Sequence, residues 1–324
     1  VTTAAAPGAL VCVVGPTGVG KTDFALALAE AIGGEIVNAD SRQVYRGMDI
    51  GTAKPTAEER ARVPHHLIDI LDPSEPFSAG AFVRLAGEAI DAIRGRKNVP
   101  VVVGGTGLYV RALVDGIWQG PRGEPGLRAA LAAVAETRGA GEPHRMLRRL
   151  DPESAAALHP NDRHKVQRAL EITLMEGRPA SALRRAHGFP GAREATLVGL
   201  TMPRARLYAR IERRVDAMIA AGWPAETEAL LAAGVGPEAP GMNAVGYRQL
   251  VRHIRGEIPL ETAVSEIKQA SRNYAKRQFT WFRKDARIRW LEAEGLPVQG
   301  LVGRVFESDQ RGEVRVDVSI RKAP

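Results

Sequence analysis

The chain is poor in cysteine, lysine and aromatics, and it has no long apolar run. Cys12 is the single cysteine in 324 residues. One thiol permits neither an intrachain disulfide nor a thiolate metal cluster, which fits a reducing compartment. No apolar stretch approaches the ~20 residues that span a bilayer. Residues 1–9 are small and polar, without the basic start and apolar run of a secretory leader. A soluble, cytoplasmic protein is therefore expected, with no membrane partner. Only eight of the 45 basic residues are lysine. The formal charge of +8 and the pI near 9.9 thus reflect an arginine-heavy composition as well as function. Even discounted for that bias, the charge favours a polyanionic partner such as nucleic acid. No internal repeat and no long low-complexity segment is present. At 44% hydrophobic, the chain can bury the core of one large domain or two modest ones.

What is present is a complete phosphate loop, Gly15-Pro16-Thr17-Gly18-Val19-Gly20-Lys21-Thr22. Leu10–Val14 before it reads as a short buried strand. Asp23–Ile32 after it has apolar residues at helical spacing. Glycines let backbone N–H groups close on phosphate oxygens, and the helix N-terminus adds partial positive charge. Lys21 supplies a point charge, and the Thr22 hydroxyl is placed to hold Mg²⁺. The loop specifies a polyphosphate without specifying ATP.

Further strands are expected at 35–39, 67–71, 99–103 and 195–202. Two of them end as the first does, in ligand-type turns: Asp40-Ser41-Arg42-Gln43 and Gly104-Gly105-Thr106. In an open parallel sheet such ends share one rim. Repeated β-α-β units imply an α/β fold, a P-loop NTPase-like doubly wound parallel sheet. Asp40 could equally be a turn or N-cap carboxylate. His65 and His66 lack a third ligand at metal-site spacing and read as structural. The strand signal vanishes over residues 119–193, and 12 basic and eight acidic residues fall between Gln119 and Pro190 at helical spacing. An all-helical insertion with a basic face is expected there. It divides a core of residues 1–118 and 194–291, followed by a tail, 292–324, in which 313–320 could form one edge strand.

Arg204–Ala221 reads as an amphipathic helix with Leu207, Ile211, Val215 and Met218 buried. Arg206, Arg210 and Arg214 would share another face, where a guanidinium fork suits a diphosphate. Thr262–Arg283 is the most basic helix. Ala263, Ile267, Ala270 and Tyr274 are its expected core positions. Lys268, Arg272 and Lys276 form a single-sign stripe, so something anionic should compensate it, with nucleic acid the favoured candidate. Tyr274, Phe279, Trp281 and Phe282 could stack on bases or pack in the core.

A phosphotransfer enzyme needs an acidic Mg²⁺ anchor after an apolar strand. Val101–Val103 ends in glycines instead, leaving Asp40, Asp69 or Asp72. The loop could therefore hold a diphosphate that is a leaving group, with Asp40 taking a proton from the nucleophile. A small-molecule kinase and a nucleotide-dependent RNA-binding protein remain open on these residues alone.

Beyond the loop, the chain closely resembles the bacterial tRNA dimethylallyltransferases. The resemblance rests on GPTGVGKT at 15–22, NADSRQVYRGMDIGTAKP at 38–55, HHLIDILDP at 65–73 and GGTGLYVRAL at 104–113. It continues in HPNDRHKVQRALE at 159–171, LYARIERRVDAM at 207–218, VGYRQL at 245–250 and KRQFTWFRK at 276–284. It implies transfer of a dimethylallyl group from its diphosphate to N6 of adenosine 37 of tRNA, within the anticodon stem-loop, with Mg²⁺ and a P-loop core. A monomer is expected. By match, Asp40 is the general base, working with Thr106, Lys21 and Arg210. Residues Gly15, Pro16, Thr17, Gly18, Val19, Gly20, Lys21 and Thr22 hold the diphosphate, Thr22 also the metal. The tRNA contacts implied are Asp40, Ser41, Arg42, Gln43, Thr106, Arg128, Lys165, Gln167 and Asn243. Gly246, Tyr247, Arg248, Lys276, Arg277, Gln278 and Arg283 complete them. Lys165 stands where the family usually has Arg, and Asn243 replaces a frequent Arg, so these two contacts lose bidentate geometry and charge respectively.

Overall fold

A computed structural model describes residues 9–118, 120–188, 191–294, 297–303, 305–308 and 314–316. The chain forms two compact units, Val1–Val114 with Arg193–Pro324, and Asp115–Ala192. The first contains β1 (Val11–Val14), α1 (Lys21–Ile32), β2 (Gly34–Asn38), α2 (Ala57–Arg62), β3 (His65–His66), α3 (Ala79–Gly95), β4 (Val99–Gly104) and α4 (Gly107–Asp115). The second contains α5 (Pro125–Arg138), α6 (Glu142–Leu150), α7 (Pro152–Ala157), α8 (Arg163–Glu176) and α9 (Ala180–His187). The chain then returns to the first unit with β5 (Thr196–Thr201), α10 (Arg204–Ala220), α11 (Trp223–Ala232), α12 (Tyr247–Ile254), α13 (Leu260–Phe282), β6 (Arg289–Glu292) and α14 (Val298–Gly303). A two-stranded antiparallel pair, β7 (Phe306–Ser308) and β8 (Val314–Val316), ends the described residues.

The six-stranded sheet is parallel throughout, in the order β3-β2-β4-β1-β5-β6. Alternation along β1 divides the core. Val11 and Val13 pack under α1 with Phe24, Leu28 and Ile36, while Cys12 and Val14 face Phe82, Ile90 and Leu113 of α3 and α4. Burial pushes the Cys12 thiol up to about 12, so it is an inert core group. A third cluster joins Val215 and Met218 of α10 to Trp223, Tyr247, Leu250 and Ile267. The second unit has its own core, centred on Leu131, Leu147, Val166 and Leu170.

Two local expectations fail for identifiable reasons. The strand expected at 67–71 is replaced by β3 at His65–His66, because Leu67 and Asp69 take φ of +63° and +56°, which breaks the extended run. Ile70 and Leu71 donate instead to the Val44 carbonyl at 2.9 and 3.0 Å. Along α13 the buried row is Ala263, Ile267, Ala275, Gln278 and Phe282, so Ala270 and Tyr274 are only half-buried. The first half of that helix packs on α10 and α12 and the second half on the phosphate loop, so its buried face drifts. In the tail, a strand does form within the expected 313–320, Val314–Val316, paired with Phe306–Ser308 in a two-stranded sheet; the rest of 313–320 lies outside the described residues.

Candidate active site

The phosphate loop joins β1 to α1 at the centre of the sheet. Val19 pins it to the core at 1% exposure. Gly18 sits at φ +83°, where a Cβ would lie 2.9 Å from Ile211 Cγ1, so both conformation and space demand glycine. The N-cap of α1 is Gly20, which offers no side-chain cap and leaves the first N–H groups of the helix for an anion. Lys21 folds over the loop, donating to the Gly15 and Pro16 carbonyls at 3.0 and 2.9 Å. Burial lowers its ammonium to about 8, against the pull of the Asp40 carboxylate and with the push of Arg214.

Two helices distant in sequence brace this loop. Thr17 N–H donates to Gln278 Oε1 at 2.8 Å, and Gln278 Nε2 donates to the Gly105 carbonyl at 2.9 Å. The amide thereby ties the loop after β1 to the loop after β4. Gly105 makes room for it, since a Cβ there would lie 2.1 Å from Gln278 Nε2. From α10, Arg214 donates to Thr17 Oγ1 at 2.7 Å, and Arg210 lies 3.7 Å from Asp23 beside Gly20.

A cavity of about 230 Å³ opens in front of the loop. Thr17, Lys21, Thr22, Arg210 and Arg214 line one side, and Asp40 and Asn38 another. That volume is just below the usual small-molecule range, as a compact phosphate ester requires. Asp40 follows β2, and its Oδ1 accepts from Arg42 N–H at 2.8 Å. Asn38 Oδ1 accepts the Asp40 N–H at 3.1 Å. Thr106 stands alongside, accepting Ser41 N–H on its hydroxyl at 3.1 Å. Tyr274 hydrogen-bonds to Thr106, and burial together with the nearby Asp40 charge pushes its phenol up to about 12.

The other residues implied to bind tRNA divide by environment. Gln43 donates to the Thr52 and Ala53 carbonyls at 3.1 and 3.0 Å and lines the cavity. Arg42 donates to the Pro240 carbonyl at 2.6 Å. Gly246 and Tyr247 are buried, and the Tyr247 hydroxyl donates to Glu226 at 2.6 Å. Glu226 also accepts N–H groups of Asp49, Ile50 and Gly51, so this pair braces the loop 47–55. Asn243 and Arg248 are exposed, and the Asn243 amide donates to the Glu238 and Ala239 carbonyls. Lys276, Arg277 and Arg283 are exposed on or just after α13. In the second unit Arg128 pairs with the buried Glu171, Gln167 donates to the Arg128 carbonyl at 3.1 Å, and Lys165 pairs with Asp162 at 2.6 Å.

Other expectations are corrected. Two of the three cations of the α13 stripe are compensated from within the protein, since Lys268 pairs with Asp216 at 2.6 Å and Arg272 pairs with Glu212, both on α10, while Lys276 is exposed. Arg206 turns to Glu294 at 3.0 Å, so Arg210 and Arg214, not three arginines, line the cavity. Phe282 is core and Phe279 packs edge-on against Trp290, whereas Trp281 is 40% exposed. His65 Nδ1 meets the Val63 carbonyl and His66 Nε2 meets Glu35, each at 2.7 Å. Among the described residues no group of three potential ligands could hold a metal. Asp69 is engaged by Lys54 and Arg60. A hydroxyl at Thr22 with the Asp40 and Asp23 carboxylates nearby still fits a hard ion that takes most of its ligands from phosphate and water. The helical row Arg206, Arg210 and Arg214 pointed to a diphosphate face, but of the three the family resemblance implied a site role for Arg210 alone; the structure adds Arg214. No sequence signal points to Gln278 as the tie between two loops.

A parallel sheet whose central strand delivers this loop, facing guanidiniums and the Asp40 and Asp23 carboxylates across a small cavity, defines a P-loop α/β protein whose cavity suits a small polyphosphate ester. Among the described residues no helix is long and apolar enough to cross a membrane. The IPP transferase family model matches residues 43–285, and an isopentenyl transferase model matches 8–69. The chain belongs to the IPP transferase family. It is 52% identical to the tRNA dimethylallyltransferase of Syntrophobacter fumaroxidans, over 91% of this chain and 86% of that one. With the tRNA dimethylallyltransferase of an Anaeromyxobacter species it shares 50% identity, over 92% and 97% respectively. The crystal structure of the tRNA isopentenylpyrophosphate transferase from Bacillus halodurans is similar at TM-score 0.68 and 42% identity, covering 91% of this chain and 93% of that one. A eukaryotic dimethylallyltransferase described as acting on tRNA matches at TM-score 0.75 and 28% identity, over 88% and 74%.

Proposed function

We propose that this chain transfers the dimethylallyl group of dimethylallyl diphosphate to N6 of adenosine 37 of tRNA, next to the anticodon, and releases diphosphate. The observation that carries the reading is one cavity holding both a phosphate cradle and the Asp40 carboxylate. The relatives' shared tRNA dimethylallyltransferase names select the prenyl donor and the acceptor. The protein is read as a monomer of the cytoplasm.

In this reaction the bond from the allylic carbon to the bridging oxygen breaks as the bond from N6 to that carbon forms. An adenine amine is a poor nucleophile because its lone pair is delocalised into the ring. Asp40 accepts the N6 proton as the new bond forms, a contribution of ~10²–10⁴ in rate. Thr106, with Tyr274 against it, orients the base beside Asp40. Negative charge grows on the departing diphosphate, which meets Lys21, Arg210, Arg214 and the N–H groups of the loop. Thr22 would hold Mg²⁺ with the phosphate oxygens, and the bound ion supplies further positive charge to the leaving group. The allylic carbon takes on cation-like character, so the cavity must exclude water. A base flipped out of a single-stranded loop can enter at an unstacking cost of about a few kcal/mol. Exposed Lys276, Arg277, Arg283 and Arg248 are the assigned phosphate contacts in the first unit, and Arg128, Lys165 and Gln167 the contacts in the second.

The test is incubation with labelled dimethylallyl diphosphate, Mg²⁺ and either tRNA or AMP. Label is expected in tRNA alone. Label in AMP alone, or ATP turnover with no label in either acceptor, would overturn the proposal.

A further inference from the structure

The cavity extends past the phosphate cradle into a recess where Ile36, Ala53, Pro55 and Ile68 are the apolar walls, with His65 beside Ile36 and Thr52 before Ala53 as polar neighbours. Strand β2 sets its depth. Asn38 and Ile36 share one face of that strand, so Ile36 lies about 7 Å further from the rim. Ile68 is level with Asn38, because Asn38 Nδ2 donates to the Leu67 carbonyl at 3.0 Å. Ile36 is 4% exposed, in register with His65 on one side and Val101 on the other, and it belongs to the core beneath α1. The recess therefore ends on Ile36.

The facing wall is stiff. Ala53 takes φ +50°, and its carbonyl accepts from Gln43 Nε2 at 3.0 Å. The next side chain, Lys54, is buried and anchored on the Tyr45 carbonyl at 2.8 Å and on Asp49 and Asp69. A turn fixed at Ala53 by its left-handed backbone, and at Lys54 by a buried ammonium with three partners, resists displacement by a bulkier guest.

We infer that Ile68 and Ile36 limit the donor to a five-carbon chain, an inference that rests on the prenyl-transfer reading. With the diphosphate on the loop and the reacting carbon beside Asp40, the dimethylallyl tail lies level with Asn38 and Ile68. The second isoprene unit of geranyl diphosphate would need the space that Ile36 fills. One surplus methylene in a fitted pocket already discriminates by about 10–200-fold. Five surplus carbons against a blind wall should exceed that.

The experiment compares kcat/KM for dimethylallyl and geranyl diphosphates, with tRNA as acceptor, in the wild type, Ile68→Ala and Ile36→Ala. The wild type should favour the shorter donor by more than about 200-fold. Each truncation should raise the geranyl-to-dimethylallyl ratio by about tenfold or more, Ile36→Ala most, because room for a methylene group or two is worth that much. Calorimetric binding of inorganic diphosphate reports whether each variant is folded with its loop intact. If Ile36→Ala fails that check, Ile68→Ala decides, since Ile68 is only half-buried and its truncation opens no core cavity. Equal use of both donors by the wild type would overturn the inference. So would an unmoved ratio in variants that still bind diphosphate. Absence of dimethylallyl transfer by the wild type would instead sink the reading beneath it.

Discussion

Two side chains carry opposite parts of the proposed chemistry. Asp40 is held by Arg42 N–H on one oxygen and faces the cavity. Asp40→Ala should cut single-turnover transfer by about 10²–10⁴ while tRNA binding persists. A near-normal rate in that variant would show that the base lies elsewhere. Arg214 stands over the loop through Thr17 Oγ1 and is buried enough that desolvation lowers its pKa, with Asp40 opposing and Arg210 adding to the effect. Such a guanidinium gains most from an incoming anion. Arg214→Ala should weaken diphosphate binding by about tenfold or more, the worth of a charge-assisted hydrogen bond. Calorimetric titration with inorganic diphosphate gives the number.

At the scale of elements, α13 holds the site together from inside and β2 holds the sheet edge. Gln278→Ala would leave Thr17 N–H and the Gly105 carbonyl without their partner. A loss of about 1–3 kcal/mol is expected, read as a lower melting temperature together with a raised KM for the donor. A change in stability alone would mean that the loop keeps its shape without the tie. On β2, Glu35 is 3% exposed and accepts from Arg96 at 3.0 and 2.7 Å, from Asn98 at 2.8 Å and from His66 at 2.7 Å. The Arg96 guanidinium above all, helped by Asn98 and His66, overcomes the cost of burial and holds the carboxyl at about 2. The folded value lies below the ordinary one, so this stabilisation is present above pH ~4.5 and fades as pH falls toward 2. The full effect is on the order of 3 kcal/mol. Glu35→Gln should be clearly less stable than the wild type at pH 7, and urea melts should show the gap closing near pH 3. A gap independent of pH would assign the loss to packing instead.

For the whole molecule, the question is where positive charge remains after internal pairing. Lys268 and Arg272 are matched by Asp216 and Glu212, while Lys276 is exposed beside Arg277. Affinity for tRNA should fall steeply with salt, because phosphate contacts release counterions. Lys276→Ala should reduce the slope of log K against log salt by about one, whereas Lys268→Ala should leave it nearly unchanged. Equal effects of the two would mean that the Asp216 pair opens when tRNA binds. The second unit adds its own basic groups, of which Arg128 is committed to Glu171 and Lys165 to Asp162.

Strand-turn-helix order around Gly15–Thr22 was legible in the sequence, and so was the shared rim of Lys21 and Asp40. Each follows from local rules: glycine where φ is positive, apolar spacing in strand and helix, ligands at the carboxyl ends of parallel strands. The amphipathic row Leu207, Ile211, Val215 and Met218 is buried as its period required. Only the tertiary structure decided which arginines meet the loop, which carboxylates neutralise α13, and that Gln278 reaches Thr17 across 261 residues of sequence. It also shortened β3, through left-handed turns at Leu67 and Asp69 that no local pattern announced. A residue's own neighbours set its backbone preference, but the partner of a charge or an amide is whatever packing brings within 3 Å. That information is spread over the whole chain.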